Sequence, residues 1–408
     1  MPSHVTPPRG MRDFLPADKR RRERVLSVVR DVYRAHGFDE IETPVVESSE
    51  YLFSGLGGDN EKQVFAVLRR GLDDDALRAA ASPLDLADLG LRYDLTVPLA
   101  RFYASHRAEL PTVFRAVQIA PVWRAEKPQK GRYRQFVQCD IDILGEPGQL
   151  AEIELVSATT AVLAALGLEG TSVRVNDRRV LLGVLTHWGV PAELHDRALL
   201  EIDKLDKIGV DGVAAQLASI GVDDPGIAAQ LGQLGEATWD SATASPPPAW
   251  LDQDAFGDLL ALRAALPDVT LVRGMGYYTG TIFEVAHPDF AYSLGGGGRY
   301  DGMIGRFLGT DVPAAGFSLG FERIVDLVEL DDDADDGLVV LYDKAVAPAE
   351  LLALQKALVG RGEARVRLQK RAKNVAGQLD ALAAAGFRRF VAVRGGEALD
   401  DLEVRPLG

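Results

Sequence analysis

A single cysteine, Cys139, serves the whole 408-residue chain. That excludes an internal disulfide framework and a thiolate zinc site, and it fits a reducing compartment, the cytoplasm. The six histidines form no close-spaced metal pattern, so no structural metal is expected. There is no apolar run of about 18 residues, hence no membrane span. The opening segment, MPSHVTPPRGMRDFLP, lacks the apolar stretch of a secretory signal. A P-loop motif is missing. GGGGRYDG at 295–302 superficially resembles a dinucleotide fingerprint, but it lacks the strand–turn–helix unit and following acidic residue, so a dinucleotide site is rejected. Excess positive charge is missing too. A formal net charge of −15 argues against a nonspecific nucleic-acid binder.

What is present describes a folded protein of two or three domains. Hydrophobic residues make up 47% of the chain, enough for a large core. Charge is unevenly spread. Residues 337–408 hold 12 Lys/Arg against 8 Asp/Glu, a net of +4, so residues 1–336 carry −19. The basic tail could meet a polyanion, or the asymmetry could be a solvated surface.

Residues 17–36 place Val25, Val28, Val29 and Val32 at helical spacing, and Gly37 stops the helix. IETPVVE reads as an edge strand, demoted by Pro44. Strands are predicted at 64–70, 89–95, 113–124 and 135–145, then a long apolar helix at 149–167. Residues from about 180 to 265 are helical and acidic and include a proline-rich break, ASPPPAW, the pattern of an insertion. Strand signals return at LVRGMGYYTGTIFEVAH. Residues 331–336, within DDDADDG, read as an acidic linker. Beyond it, strands and helices alternate as in a small α/β domain with parallel strands.

Three segments carry chemical meaning. APVWRAEKPQKGRYRQFVQCDIDILG (120–145) sets Lys127, Lys130, Arg132 and Arg134 at a turn between two strands. Strand alternation then puts Gln138, Asp140 and Asp142 on one face, opposite Val137, Cys139, Ile141 and Ile143. Arginine's planar fork suits phosphate, so the turn reads as an anion site; a hairpin with surface ion pairs is the plainer reading. In LRYDLTVPLARF (91–102), Asp94 and Thr96 share a face by the same alternation. They could hold an ammonium group, or they could satisfy backbone groups at the turn. RGMGYYTG (273–280) flanks one arginine and a tyrosine pair with glycines that admit close approach.

Taken together these segments resemble the histidyl-tRNA synthetases, a family of class II aminoacyl-tRNA synthetases. GFDEIETPVVE is similar to the first class motif, VWRAEKPQKGRYRQFVQCDIDILG to the second and GFSLGFERI to the third. LVRGMGYYTG and the four-glycine run are similar to segments peculiar to the histidine enzymes. The resemblance covers nearly the whole chain. It implies an α+β fold: an antiparallel six-stranded catalytic sheet flanked by helices over 1–330, a helical insertion, and a C-terminal α/β anticodon-binding domain over 337–408. It also implies a homodimer, with histidine, ATP and histidine tRNA as partners and Mg²⁺ accompanying the ATP.

By resemblance, Arg124 contacts the α-phosphate and Glu126 the adenine, while Arg132 and Arg323 reach the outer phosphates. Arg273 supplies a second cation at the α-phosphate. Asp94, Thr96 and Gln138 hold the substrate ammonium and carboxylate, and Asp142 and Tyr278, with Tyr277 nearby, pair the imidazole nitrogens. Gly276 stands where the family usually has Asp. Two rival readings share the scaffold: a histidine-binding regulatory subunit of ATP phosphoribosyltransferase, and a paralogue that charges another acceptor.

Overall fold

The computed structural model describes residues 5–53, 63–128, 131–236, 247–265, 269–271, 278–329, 337–397 and 399–407. The chain divides into two compact units. One comprises Met1–Arg12 and Val25–Val328, the other Asp13–Arg24 and Glu329–Gly408. The acidic linker predicted at 331–336 lies outside the described residues. No helix among the described residues is long and apolar enough to cross a membrane.

The first unit is built on an eight-stranded sheet. Its strands are β1 (Asp39–Glu40), β5 (Phe114–Trp123), β6 (Gln135–Leu144), β7 (Ser172–Asp177), β8 (Val269–Leu271), β9 (Thr281–His287), β10 (Phe290–Arg299) and β11 (Ala314–Gly320), in the order β1-β5-β6-β11-β10-β9-β7-β8. The inner six pair antiparallel throughout, as the resemblance implies. The two outer strands are short and parallel to their neighbours. A three-stranded sheet stands apart: β2 (Val46–Ser48), β4 (Ala87–Leu91) and β3 (Phe65–Leu68), in that order. Pro44 thus splits IETPVVE. Instead of one edge strand, Asp39–Glu40 ahead of it pair with β5 and Val46–Ser48 beyond it pair with β4, and Pro44 between them offers no N–H for a ladder to use.

Ten-residue strands β5 and β6 pair along their full length, from Phe114 opposite Leu144 to Trp123 opposite Gln135. β6 is buried from Gln138 to Leu144 on both faces. Its apolar face packs Cys139, Ile141 and Ile143 into the core, each isoleucine contributing about 1.5–3 kcal/mol. The face holding Gln138, Asp140 and Asp142 therefore looks into the protein interior. Helix Leu150–Ala165 covers the sheet and buries Leu155, Val156, Val162 and Leu163. Between β7 and β8 in sequence lie helices Arg178–His187, His195–Ile202, Leu205–Ser219, Ile227–Glu236 and Gln253–Ala265.

In the second unit, β12 (Gly337–Tyr342), β13 (Val366–Lys370) and β14 (Phe387–Val393) run parallel in the order β13-β12-β14, and β15 (Arg405–Pro406) adds antiparallel to β14. β12 is covered on both faces. Leu338 and Val340 meet Leu351 and Leu358 of helix Pro348–Gly360, while Val339 and Leu341 meet Leu382 of helix Val375–Ala384. A doubly covered parallel sheet explains the unbroken apolar run GLVVLY.

Candidate active site

Arg124 follows the last residue of β5 and sits at the neck of the arginine-bearing loop. Its N–H donates to Arg134 O (2.9 Å) and its Nε to Tyr93 O (3.0 Å), and its guanidinium lies 5.0 Å from the Phe136 ring centre. Arg134 Nε reaches back to Glu126 O (3.0 Å) across the same neck. Further out, Arg132 stands 3.8 Å from the Glu126 carboxylate. Arg323 comes from the first turn of helix Phe321–Leu327, directly after β11, and donates to Ser293 O. Burial lowers the proton affinity of Arg323, and the positive charges of Arg132 and Arg124 push it the same way. Three guanidinium groups from two distant segments therefore face one region. Mutual repulsion between them is relieved by an anion.

The turn before helix Thr96–His106 is stitched to the same place. Buried Arg92 donates from Nε to Pro121 O (3.0 Å) and from a terminal nitrogen to Thr43 O (2.7 Å). Asp94 is not on a strand, as alternation predicted. β4 ends at Leu91, and the Asp94 side chain accepts from Val97 N–H at 3.3 Å, capping the helix that Thr96 begins. An aspartate that captures an N–H three residues on ends a strand and starts a helix. Burial raises Asp94 to a pKa of about 6, against the pull of Val97 N–H, Arg124 and Thr96 N–H. Arg124 thus acts on the turn, through Asp94, and on Arg323 together.

Along β6 the polar face is an ordered row. Gln138 Nε2 donates to Ser318 Oγ of β11 at 2.9 Å and approaches both Asp140 oxygens at 3.3 and 3.4 Å. With its amide hydrogens so engaged, Gln138 leaves Oε1 buried, with no hydrogen-bond partner among the described residues. That oxygen can only accept, so it suits an ammonium donor. Burial and the neighbouring Asp142 hold Asp140 well above the usual carboxylate range. Asp142 accepts from Tyr300 O–H at 2.5 Å; burial raises it to about 7, and Asp94 adds to the rise. Gly316 of β11 lies opposite Asp142 and makes this possible. A Cβ there would fall 2.0 Å from Asp142 Oδ1 and 3.1 Å from Tyr300 Cε1.

Tyr278, just ahead of β9, is buried with its ring against Gly298, where an added Cβ would come within 2.8 Å of Cδ1. Its hydroxyl lies in the field of Tyr300. The structure therefore brings Asp94, Gln138, Asp142 and Tyr278 into one buried polar cluster, with Arg124 in the field of both Asp94 and Arg323. Thr96 holds the first position of the helix beside Asp94, and Glu126 lines the loop. Arg273, Gly276 and Tyr277 lie outside the described residues. Tyr300, Asp140 and Ser318 join the site without having been picked as candidates. The alternation already placed Asp140 in the row, and Tyr300 follows the four-glycine run. Among the described residues no group of three or more His, Cys, Asp or Glu is arranged to hold a metal ion.

A profile described as Histidyl-tRNA synthetase matches residues 10–324. The histidine–tRNA ligase of Leifsonia xyli subsp. xyli is 56% identical, with 100% of this chain and 99% of that protein aligned. The histidine–tRNA ligase of Aeropyrum pernix is 42% identical over 86% of this chain and 79% of its own. Among solved structures, a histidyl-tRNA synthetase from Nostoc sp. PCC 7120 superposes with a TM-score of 0.76 at 24% identity, covering 99% of this chain and 96% of that one. A Bacillus halodurans protein described as an ATP phosphoribosyltransferase regulatory subunit/histidyl-tRNA synthetase gives 0.76 at 21% identity, covering 98% and 100%. Those two likenesses establish the fold, and the sequence matches establish the rest: this chain belongs to the histidyl-tRNA synthetase family.

Proposed function

We propose that the chain activates histidine with ATP and transfers the histidyl group to the 3′ end of histidine tRNA. The observation that carries this reading is the meeting of Arg124, Arg132 and Arg323 beside a buried row of Gln138, Asp140 and Asp142. In the first step a histidine carboxylate oxygen attacks the α-phosphorus of ATP; the bond to the bridging oxygen breaks and pyrophosphate leaves, giving histidyl-adenylate. In the second, a terminal ribose hydroxyl of the tRNA attacks the adenylate carbonyl, AMP leaves, and the hydroxyl proton passes to solvent or a phosphate oxygen.

Negative charge grows on phosphate oxygens in the first step, and preplaced guanidinium groups stabilise it without reorganising. Arg124 takes the α-phosphate, with Arg273 as a second cation there, and Arg132 and Arg323 take the outer phosphates. Glu126 reads the adenine. Mg²⁺ enters with the nucleotide. Gln138 Oε1, Asp94 and Thr96 receive the substrate's ammonium and carboxylate ends. Asp142 and Tyr278, with Tyr300 beside them, pair the imidazole, and the family resemblance adds Tyr277 to that end of the substrate. An imidazole needs an acceptor for its N–H and a polar partner at its other nitrogen, and a site built for both strongly rejects analogues lacking them.

We assign residues 1–330 to the catalytic domain, with the helices from about 180 to 265 as its insertion, and 337–408 to anticodon binding, where the net +4 favours tRNA phosphates. A homodimer is favoured by the outer face of the three-stranded sheet, where Val46 and Leu91, Leu89 and Val67, and Phe65 form an apolar surface. We place the enzyme in the cytoplasm, where its tRNA is. The regulatory-subunit and other-acceptor readings lose ground to relatives of 56% and 42% identity that carry the ligase name. Aminoacylation of purified tRNA with labelled histidine is the test: no charging, with intact histidine-dependent pyrophosphate exchange, would move the assignment to another acceptor.

A further inference from the structure

Residues 8–12, ahead of the first helix, are not needed by any step above, yet they touch both limbs of the arginine loop. Met11 N–H donates to Pro8 O at 2.9 Å, closing a turn. Gly10, at φ +83°, offers its carbonyl to Arg134 N–H at 2.8 Å. A Cβ on Gly10 would fall 2.9 Å from Arg134 Cγ and 3.0 Å from Pro128 Cβ, so the segment lies against the outgoing limb at Pro128 and the returning limb at Arg134. Two residues on, the Arg12 guanidinium stacks 3.5 Å from the centre of the Tyr133 ring and pairs with Glu322. Glu322 in turn accepts from Val137 N–H of β6 at 3.2 Å.

Tyr133 is the chain neighbour of Arg132, and Glu322 is the chain neighbour of Arg323. One side chain thus grips the residues next to both outer-phosphate cations. Arg132 and Arg323 repel each other, so in the absence of anion something must hold them in register. Arginine is suited to do so: its plane stacks on an aromatic face while its edge meets a carboxylate.

We propose that Arg12 is a positioning residue for the triphosphate site, and that residues 8–12 form a clasp setting the spacing of Arg132 and Arg323. The proposal rests on the ATP-site reading and adds to it a residue far away in sequence that touches no substrate. The test is histidine-dependent pyrophosphate exchange in the full-length protein, with ATP and histidine varied separately. The variants are Arg12→Ala, Arg12→Lys, Gly10→Val and, as reference, Arg124→Ala. Arg12→Ala should raise KM for ATP about tenfold or more and leave KM for histidine within about twofold. Arg12→Lys, which keeps the charge for Glu322 and loses the flat stack, should fall between. Gly10→Val removes no charge and should shift KM for ATP in the same direction. Unchanged ATP parameters in both Arg12→Ala and Gly10→Val, or ATP and histidine parameters failing together in step with a lowered melting temperature, overturn the proposal. If Arg124→Ala abolishes exchange while Arg12→Ala is silent, only the clasp falls; if Arg124→Ala is silent too, the ATP-site reading falls and takes the clasp with it.

Discussion

Asp142→Asn should make the empty protein more stable and the enzyme worse. Asp142 is 5% exposed and shares its surroundings with two other carboxyl groups. Moving a carboxyl from its ordinary 3.8 to about 7 corresponds to about 4 kcal/mol against its ionised form, at about 1.4 kcal/mol per tenfold change in proton affinity. The folded value lies above the unfolded one. The folded protein therefore keeps a proton that the unfolded chain releases between about pH 4 and 7, and this group lowers stability as pH rises through that window. Asparagine keeps an oxygen for Tyr300 O–H and removes the charge. The variant's advantage should be near zero at pH 4, grow to pH 7 and level off above it, with about 4 kcal/mol as the ceiling. Chemical denaturation followed on the catalytic unit at pH 5 and pH 8 reads this difference. In pyrophosphate exchange the same variant should raise KM for histidine by about 10- to 100-fold, the worth of a hydrogen bond to a charged group, with KM for ATP within about twofold. Equal stability advantage at both pH values would refute the buried-charge argument. A parallel rise in both KM values would reduce Asp142 to a structural role.

If Asp142 accepts the imidazole N–H as proposed, and does so ionised, KM for histidine in the unaltered enzyme should climb as pH falls below about 7; a flat profile from pH 8 to 6 contradicts that. Arg323→Ala should cost about 10²–10³ in the exchange rate, as removal of one charge-stabilising donor does, and a loss of only a few-fold would take Arg323 out of the phosphate site. Gly316→Ala, which forces a methyl group to 2.0 Å from Asp142 Oδ1, should impair histidine use far more than ATP use, and near-normal KM for histidine would contradict the packing described. Leu89→Asp, on the exposed face of the three-stranded sheet, should convert a dimer to monomer by light scattering if that face is the interface.

The hairpin and its row of polar residues were legible because a strand's two-residue period leaves nowhere else for Gln138, Asp140 and Asp142 to point. The parallel C-terminal sheet was legible for a related reason: strand-length apolar runs alternate with helical ones. Asp94 was misplaced because alternation in LRYDLT imitates a strand, whereas a single hydrogen bond to Val97 N–H turns the chain into a helix. Pro44 was noticed, but which sheet each side of it joins depends on partners far along the chain. Tyr300 escaped for the same reason. Its hydroxyl reaches Asp142 only because β10 and β11 pair in one register, and no local pattern announces that. Arg12 and Glu322, 310 positions apart, were beyond any local signal.

The strand β6 also fixes a length. Asp142 and Gln138 are four residues apart on one extended strand, which spans about 13 Å at the rise of a β-strand. Gly316 and Gly320 on β11 mark the same interval on the facing strand. Both strands are locked into a sheet whose glycines leave no slack: a methyl on Gly297 would fall 2.0 Å from Gly316 O. The interval therefore works as a ruler that does not stretch. On the proposed reading, an amino acid whose polar tip stands nearer to or farther from its ammonium group than histidine's would satisfy Asp142 or Gln138, but not both at once. Discrimination by reach is then built into the backbone, alongside whatever the side chains contribute.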